Sequence, residues 1–134
     1  MHNMSKSLFT AECEINASPK TLFPYIFVPS LLKKWFADDI LIENEESDIV
    51  TFVWDGISYP AKIAAKKDAQ YVKYEFLDDD EEISWLQFRI EVNQLTNSTY
   101  LIIEDFSEID NEKDFEEMYN NNFAVLKELV GGNI

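Results

Sequence analysis

The sequence is short of the residue types on which several common chemistries depend. Cys13 is the single cysteine, so no disulfide can close within the chain. His2 is the single histidine and stands near the N-terminus. Zinc sites built on imidazoles, Ser/His/Asp triads and Cys/His pairs each need a positioned ring that is missing here. No apolar run approaches the ~18 consecutive residues of a membrane span, and Met1 to Lys6 lacks the apolar stretch of a secretory signal. A cytoplasmic location is expected, and no metal or organic cofactor is called for.

Basic side chains are scarce too. Eleven Lys and Arg stand against 26 Asp and Glu, a net charge of −15. Nucleic acids and anionic membrane surfaces bind through Lys and Arg that displace counterions or meet lipid charge, so both are poor partners for this chain. Apolar bulk, by contrast, is plentiful: 46% of the 134 residues are hydrophobic and 14% aromatic, ten of them Phe. That combination predicts one globular domain over residues 1–134, with 1–7 as a flexible end.

Leu8 to Asn16 alternates, with Phe9, Ala11, Cys13 and Ile15 on one face, as a half-buried strand does. Cys13 is thus a small core residue. Ser18-Pro19 is a helix start, a hydroxyl cap followed by proline where its missing N–H is harmless. Pro24 and Pro29 divide the segment that follows into two short helices or a kinked one. A strand over Ile40 to Asn44 and a polar turn at Glu45 to Ser47 come next.

Asp55-Gly56 is a two-residue hairpin loop whose positive φ angles suit the twist of paired strands. It pairs Trp54 with Ile57, Phe52 with Tyr59 and Val50 with Ala61, all on one apolar face. Strands over Tyr71 to Leu77 and Ser84 to Val92 flank an acidic loop, Asp78 to Glu82. That loop lacks the glycine and spaced glutamate of a calcium-binding EF-hand and is read as a solvated turn. Leu86, Phe88, Ile90 and Val92 share one face. The last strand, Thr99 to Phe106, is apolar on both faces, so periodicity leaves its orientation open. Either Glu104 or Asp105 points inward. Asp110 or Asn111 caps a long terminal helix that Gly131-Gly132 ends. Its apolar arc holds Phe115, Met118, Tyr119, Phe123, Val125, Leu126, Leu129 and Val130, interrupted by one polar residue, Asn122. The order of elements predicts an α+β chain in which a curved, seven-stranded antiparallel sheet wraps around the last helix, with two short helices after the first strand.

Ser18-Pro19, Trp35-Phe36-Ala37-Asp38, Trp54-Asp55-Gly56 with Ala61, Phe88-Arg89-Ile90, Leu95-Thr96, Asp105-Phe106 and Leu126-Lys127 carry a resemblance that spans nearly the whole chain. With this element order, the sequence resembles the helix-grip fold of the START-like superfamily. That superfamily includes the birch pollen allergen, polyketide cyclases and the activator of heat-shock chaperone ATPase, and the chain looks most like small members of the last branch. The resemblance implies a cavity between the long helix and the hollow of the sheet, used in relatives to hold lipids, sterols or other apolar molecules.

An unpaired amide at Asn122, amid apolar residues, would cost about 1–3 kcal/mol, so it needs a protein, water or ligand partner. It is the first ligand-binding candidate, with the hydroxyls of Tyr119 and Tyr59 beside it. Trp54, Phe88, Phe115, Met118, Phe123 and Leu126 are candidates for apolar contact with the same ligand. Arg89, on the face opposite Phe88, can pair with Glu104 or Asp105 across the sheet or receive an acidic ligand. Any of Trp35, Trp54 and Trp85 that proves exposed would mark a contact surface. The leading expectation is non-enzymatic binding of a small, lipid-like apolar or amphipathic molecule. The alternative is an interaction module or chaperone cofactor whose acidic surface meets a basic protein. A cyclase-type enzyme using a buried Glu104 or Asp105 is a third class.

Overall fold

Strand pairing begins at Lys6, two residues before the expected start, with Lys6 opposite Glu108 and Ser7 opposite Ser107. The structure, a computed structural model, describes residues 5–42, 46–78 and 81–131. His2, the strand end and turn expected around 43–45, Asp79, Asp80 and Gly132 lie outside the described residues. β1 (Lys6–Ile15) turns Phe9, Ala11 and Cys13 inward and ends on the buried Ile15. Cys13 is half-buried against the core, as its alternation predicts.

The side-chain oxygen of Ser18 accepts from the Thr21 amide at 3.2 Å, and Pro19 opens α1 (Pro19–Phe27). Val28 leaves helical geometry and Pro29 starts α2 (Pro29–Leu32), so the prolines do yield two helices. These helices carry the chain from one edge of the sheet to the other. The remaining elements are β2 (Asp39–Leu41), β3 (Ile49–Trp54), β4 (Ile57–Lys67), β5 (Tyr71–Phe76), β6 (Trp85–Asn93), β7 (Ser98–Glu108) and α3 (Glu112–Val130). The strand order is β1-β7-β6-β5-β4-β3-β2, antiparallel throughout. A register shift between Ile63 and Ala65 of β4 places a bulge in the ladder, a feature that bends a sheet.

The β3–β4 hairpin has the expected register: Trp54 faces Ile57, Phe52 faces Tyr59 and Val50 faces Ala61. Asp55 and Gly56 have φ of 53° and 76°, the positive pair that this tight loop requires. β7 is oriented by its neighbours. Phe88 pairs with Ile103, Ile90 with Leu101 and Leu86 with Asp105, so Leu101, Ile103 and Asp105 point inward and Ile102, Glu104 and Phe106 outward. Val92 departs from the expectation: it is exposed, because it sits one residue from the end of β6 at the turn.

Asn111 caps α3 by accepting from the Lys113 and Asp114 amides at 3.0 and 3.2 Å. The buried strip of this helix is narrower than the apolar arc suggests. Tyr119, Phe123 and Leu126 are buried, whereas Met118, Val125 and Leu129 are 39%, 41% and 38% exposed. The cause is placement, since α3 packs closest to β1 and leaves the β3–β4 side of the hollow uncovered. No described helix is long and apolar enough to cross a membrane.

Gly131 ends α3 in extended rather than left-handed backbone, with φ −157°. Its value lies in close approach: a Cβ there would sit 2.7 Å from the backbone oxygen of Asn16. Since backbone cannot swing aside as a side-chain tip can, Gly131→Ala is expected to cost about 1–3 kcal/mol, the usual range for overpacking. Urea unfolding checks this, and an unchanged midpoint would show that the helix end is free to lift from β1.

Candidate functional site

The uncovered part of the hollow is an open cleft of about 1090 Å³. One wall is the face of α3 that carries Phe115, Met118, Tyr119, Asn122 and Val125. Opposite lie the connector after α2, with Trp35, Phe36 and Asp38, and the β3–β4 hairpin, with Trp54 and Tyr59. Strand ends close the floor, where Phe76, Leu86, Asp105 and Ser107 reach the surface of the cleft.

Both indoles are held by their N–H groups. Trp35 Nε1 donates to the Tyr25 carbonyl at 2.9 Å, and Trp54 Nε1 donates to the Phe36 carbonyl at 3.1 Å. Trp54 is also stacked on Phe52 at 5.4 Å and meets Tyr59 at 5.6 Å. A side chain tied at its polar atom and flanked by rings has few rotamers left, so this wall is preformed. At the rim, Asp38 Oδ2 accepts from the Asp55 amide at 2.8 Å and braces the hairpin turn against the connector.

Six of the nine residues expected to touch a ligand line this cleft: Asn122, Tyr119, Tyr59, Trp54, Phe115 and Met118. The other three, Phe88, Phe123 and Leu126, require correction. They are packed in the core and are absent from the wall, because the helix arc and the strand face both continue past the point where the cleft closes. The Asn122 amide has no hydrogen-bond partner among the described residues, and none of their buried side-chain polar atoms lacks one. The amide therefore faces the open space.

Asp105 is the polar group that periodicity left undecided. It sits on the floor among apolar neighbours, where Oδ2 accepts from the Tyr119 hydroxyl at 2.6 Å and Oδ1 from the Ser107 hydroxyl at 2.8 Å. Burial pushes its carboxyl above the ordinary carboxylate range, and the two hydrogen bonds oppose that rise. The Tyr119 hydroxyl is pushed up as well, by burial first and then by the negative charge and hydrogen-bond demand of Asp105. Cross-strand register contains the signal for this arrangement, since an inward Phe88 forces Arg89 outward and draws Glu104 with it. Arg89 Nε donates to Glu104 Oε1 at 3.3 Å, and its guanidinium also pairs with Glu91. The arginine thus serves a cross-strand ion pair on the outer face, away from the cleft. Trp85 is on the outer face too, stacked on Phe106 at 5.9 Å beneath the Lys73 ammonium.

A curved antiparallel sheet gripping a terminal helix, with an aromatic-walled cleft between them, defines a helix-grip domain. The match to the START-like superfamily domain covers residues 3–132, and the chain belongs to that superfamily. Among solved structures it is similar to the protein MLL2253 from Mesorhizobium loti, at 14% identity and a TM-score of 0.74, with 96% of this chain and 99% of that one covered. The Aha1 dimer from Colwellia psychrerythraea is similar at 21% identity and a TM-score of 0.67, covering 92% and 96%. The solution structure of BfR322 from Bacteroides fragilis is 29% identical, with a TM-score of 0.59 and coverage of 94% and 92%. At these identities the likeness is one of fold. No curated protein matches the chain.

Proposed function

We propose that this chain is a cytoplasmic binding protein that holds a small apolar or amphipathic molecule in the cleft between α3 and the β3–β4 hairpin. The observation that carries this reading is the cleft itself, about 1090 Å³ of open space with an apolar wall of Trp54, Phe76, Phe115 and Met118 and charged and polar side chains around it. Ligand sites of this kind are concave, mostly apolar and largely preformed. Burial of ligand carbon against those walls supplies the affinity, and Asn122 and Tyr59 offer polar atoms to orient one end.

The test begins with protein refolded from denaturant to strip carried-over cargo. Titration with a long-chain alcohol, a sterol and an aromatic polyketide by calorimetry is expected to give saturable binding with a negative heat-capacity change. Val125→Trp places an indole at the helix edge of the cleft, and affinity is expected to fall by about tenfold or more, equal to at least ~1.4 kcal/mol. The fold should tolerate the change, because Val125 is already 41% exposed. Absence of binding across the panel, or binding indifferent to Val125→Trp, overturns the reading.

The net charge of −15 favours a second reading, an interaction module whose acidic surface meets a basic protein. Its signature is complex formation that weakens steeply with salt and is untouched by Val125→Trp.

A further inference from the structure

We propose that the cleft selects ligands whose polar end is a hydrogen-bond-donating cation, an amine, and that Asp105 is its seat; this rests on the cleft being the binding site. Asp105 accepts one hydrogen bond on each oxygen, both from neutral hydroxyls. A carboxylate has about four lone-pair sites, so acceptor capacity for a ligand remains. No ion pair reaches Asp105 among the described residues. A desolvated negative charge without a countercharge is costly, and an ammonium entering from the cleft would supply the missing partner.

The rest of the wall points the same way. Asp38, Asp55, Asp78 and Glu108 also line the cleft, against two cations, Lys6 and Lys34. Lys6 is engaged by the Glu82 carbonyl and lies 3.7 Å from Asp78. Arg89, the one arginine of the chain, is spent on Glu104 and Glu91 on the outer face. A fatty acid would therefore bring its carboxylate towards like charge without a guanidinium to receive it. Asn122 stands three residues after Tyr119 on the same helix face, and its carbonyl can accept a second N–H from the same head group.

The experiment compares three probes with one tail, decylamine, decanol and decanoate, each titrated below its micelle-forming concentration. The amine is expected to bind about tenfold or more tighter than the alcohol, with the carboxylate weakest. Asp105→Asn should bring amine and alcohol level. Asp68→Asn removes the same unit of charge from the exposed turn at the far end of β4. It should preserve the preference, which separates a seat in the cleft from general attraction to an acidic protein. Should Asp105→Asn fail to fold, the carboxyl carbon resonance of Asp105 in the unmodified chain reports instead, moving with amine and not with alcohol. Equal or tighter binding of decanoate, a preference that survives Asp105→Asn, or an Asp105 resonance unmoved by amine overturns the inference while alcohol binding leaves the cleft reading standing. If none of the three probes binds, both fall.

Discussion

Phe36→Ala is expected to lower the unfolding free energy by about 3–5 kcal/mol, the range for a buried phenylalanine truncated to a methyl. Phe36 is 4% exposed and is the hub of the aromatic core. Its ring centroid lies 5.0 Å from Phe88, 5.3 Å from Trp35, 5.7 Å from Trp54, 6.0 Å from Phe52 and 6.2 Å from Tyr119. Removing the ring forfeits its transfer free energy and also leaves a void, because the neighbours cannot slide in to fill it. Trp35 and Trp54 are tethered through their indole nitrogens, and Tyr119 through its hydroxyl. Phe36→Leu keeps most of the volume and should cost less than about 1.5 kcal/mol. Denaturant midpoints at constant slope measure both. A loss below about 1 kcal/mol for Phe36→Ala would mean that the cluster collapses around the gap, outside the range expected of a close-packed core.

The second large effect is alkaline. Tyr74 and Tyr119 are each 1% exposed, and each donates its proton, to the Ile26 carbonyl at 2.9 Å and to Asp105 at 2.6 Å. Burial holds both hydroxyls above the ordinary value of 10.0. In the unfolded chain the two phenols ionise as pH rises through 10.0, whereas in the folded chain they keep their protons. The unfolded state then binds fewer protons, so the stabilisation is fully present below that pH and is lost above it. Each retained proton contributes a slope of about 1.4 kcal/mol per pH unit, or about 2.7 kcal/mol per pH unit for the pair. Unfolding curves between pH 9 and 12, with phenolate absorbance as a second probe, test this. Tyr74→Phe is expected to halve the slope, while costing about 1 kcal/mol at neutral pH through the orphaned Ile26 carbonyl. A stability that stays flat through this range would show that these hydroxyls are open to water in the native state.

Both effects concern residues that serve two purposes. Phe36 and Tyr119 belong to the packed core and to the wall of the cleft. The cleft is therefore the place where the core stops being filled. Its rigidity derives from the same ring contacts and indole hydrogen bonds that stabilise the fold, which is the condition for a preformed site.

Local chemistry made much of this arrangement readable in advance. The Ser18-Pro19 start, the division at Pro29, the pairing imposed by Asp55-Gly56 and the long terminal helix all depend on residues near one another in sequence. Turn geometry and periodicity act over such short spans. Orientation of β7 could not be read that way, because a strand with apolar residues on both faces has no periodic preference. Pairing with β6 decided it, turning Glu104 to Arg89 and Asp105 to the cleft. Nor could the arc of α3 reveal how much of itself would be covered. That depends on the position of the helix across the sheet, close to β1, which exposes Met118 and Val125 and leaves Phe123 and Leu126 in the core.

By itself, then, the sequence determined which segments are strands and helices, how the β3–β4 hairpin registers and which faces are apolar. These properties arise from backbone preference and from side chains two to four residues apart. Only the tertiary structure decided that a cleft exists, which aromatic rings bound it and which acidic side chain lies on its floor. Empty volume is set by the distance between elements far apart in the chain, a quantity that no local pattern encodes.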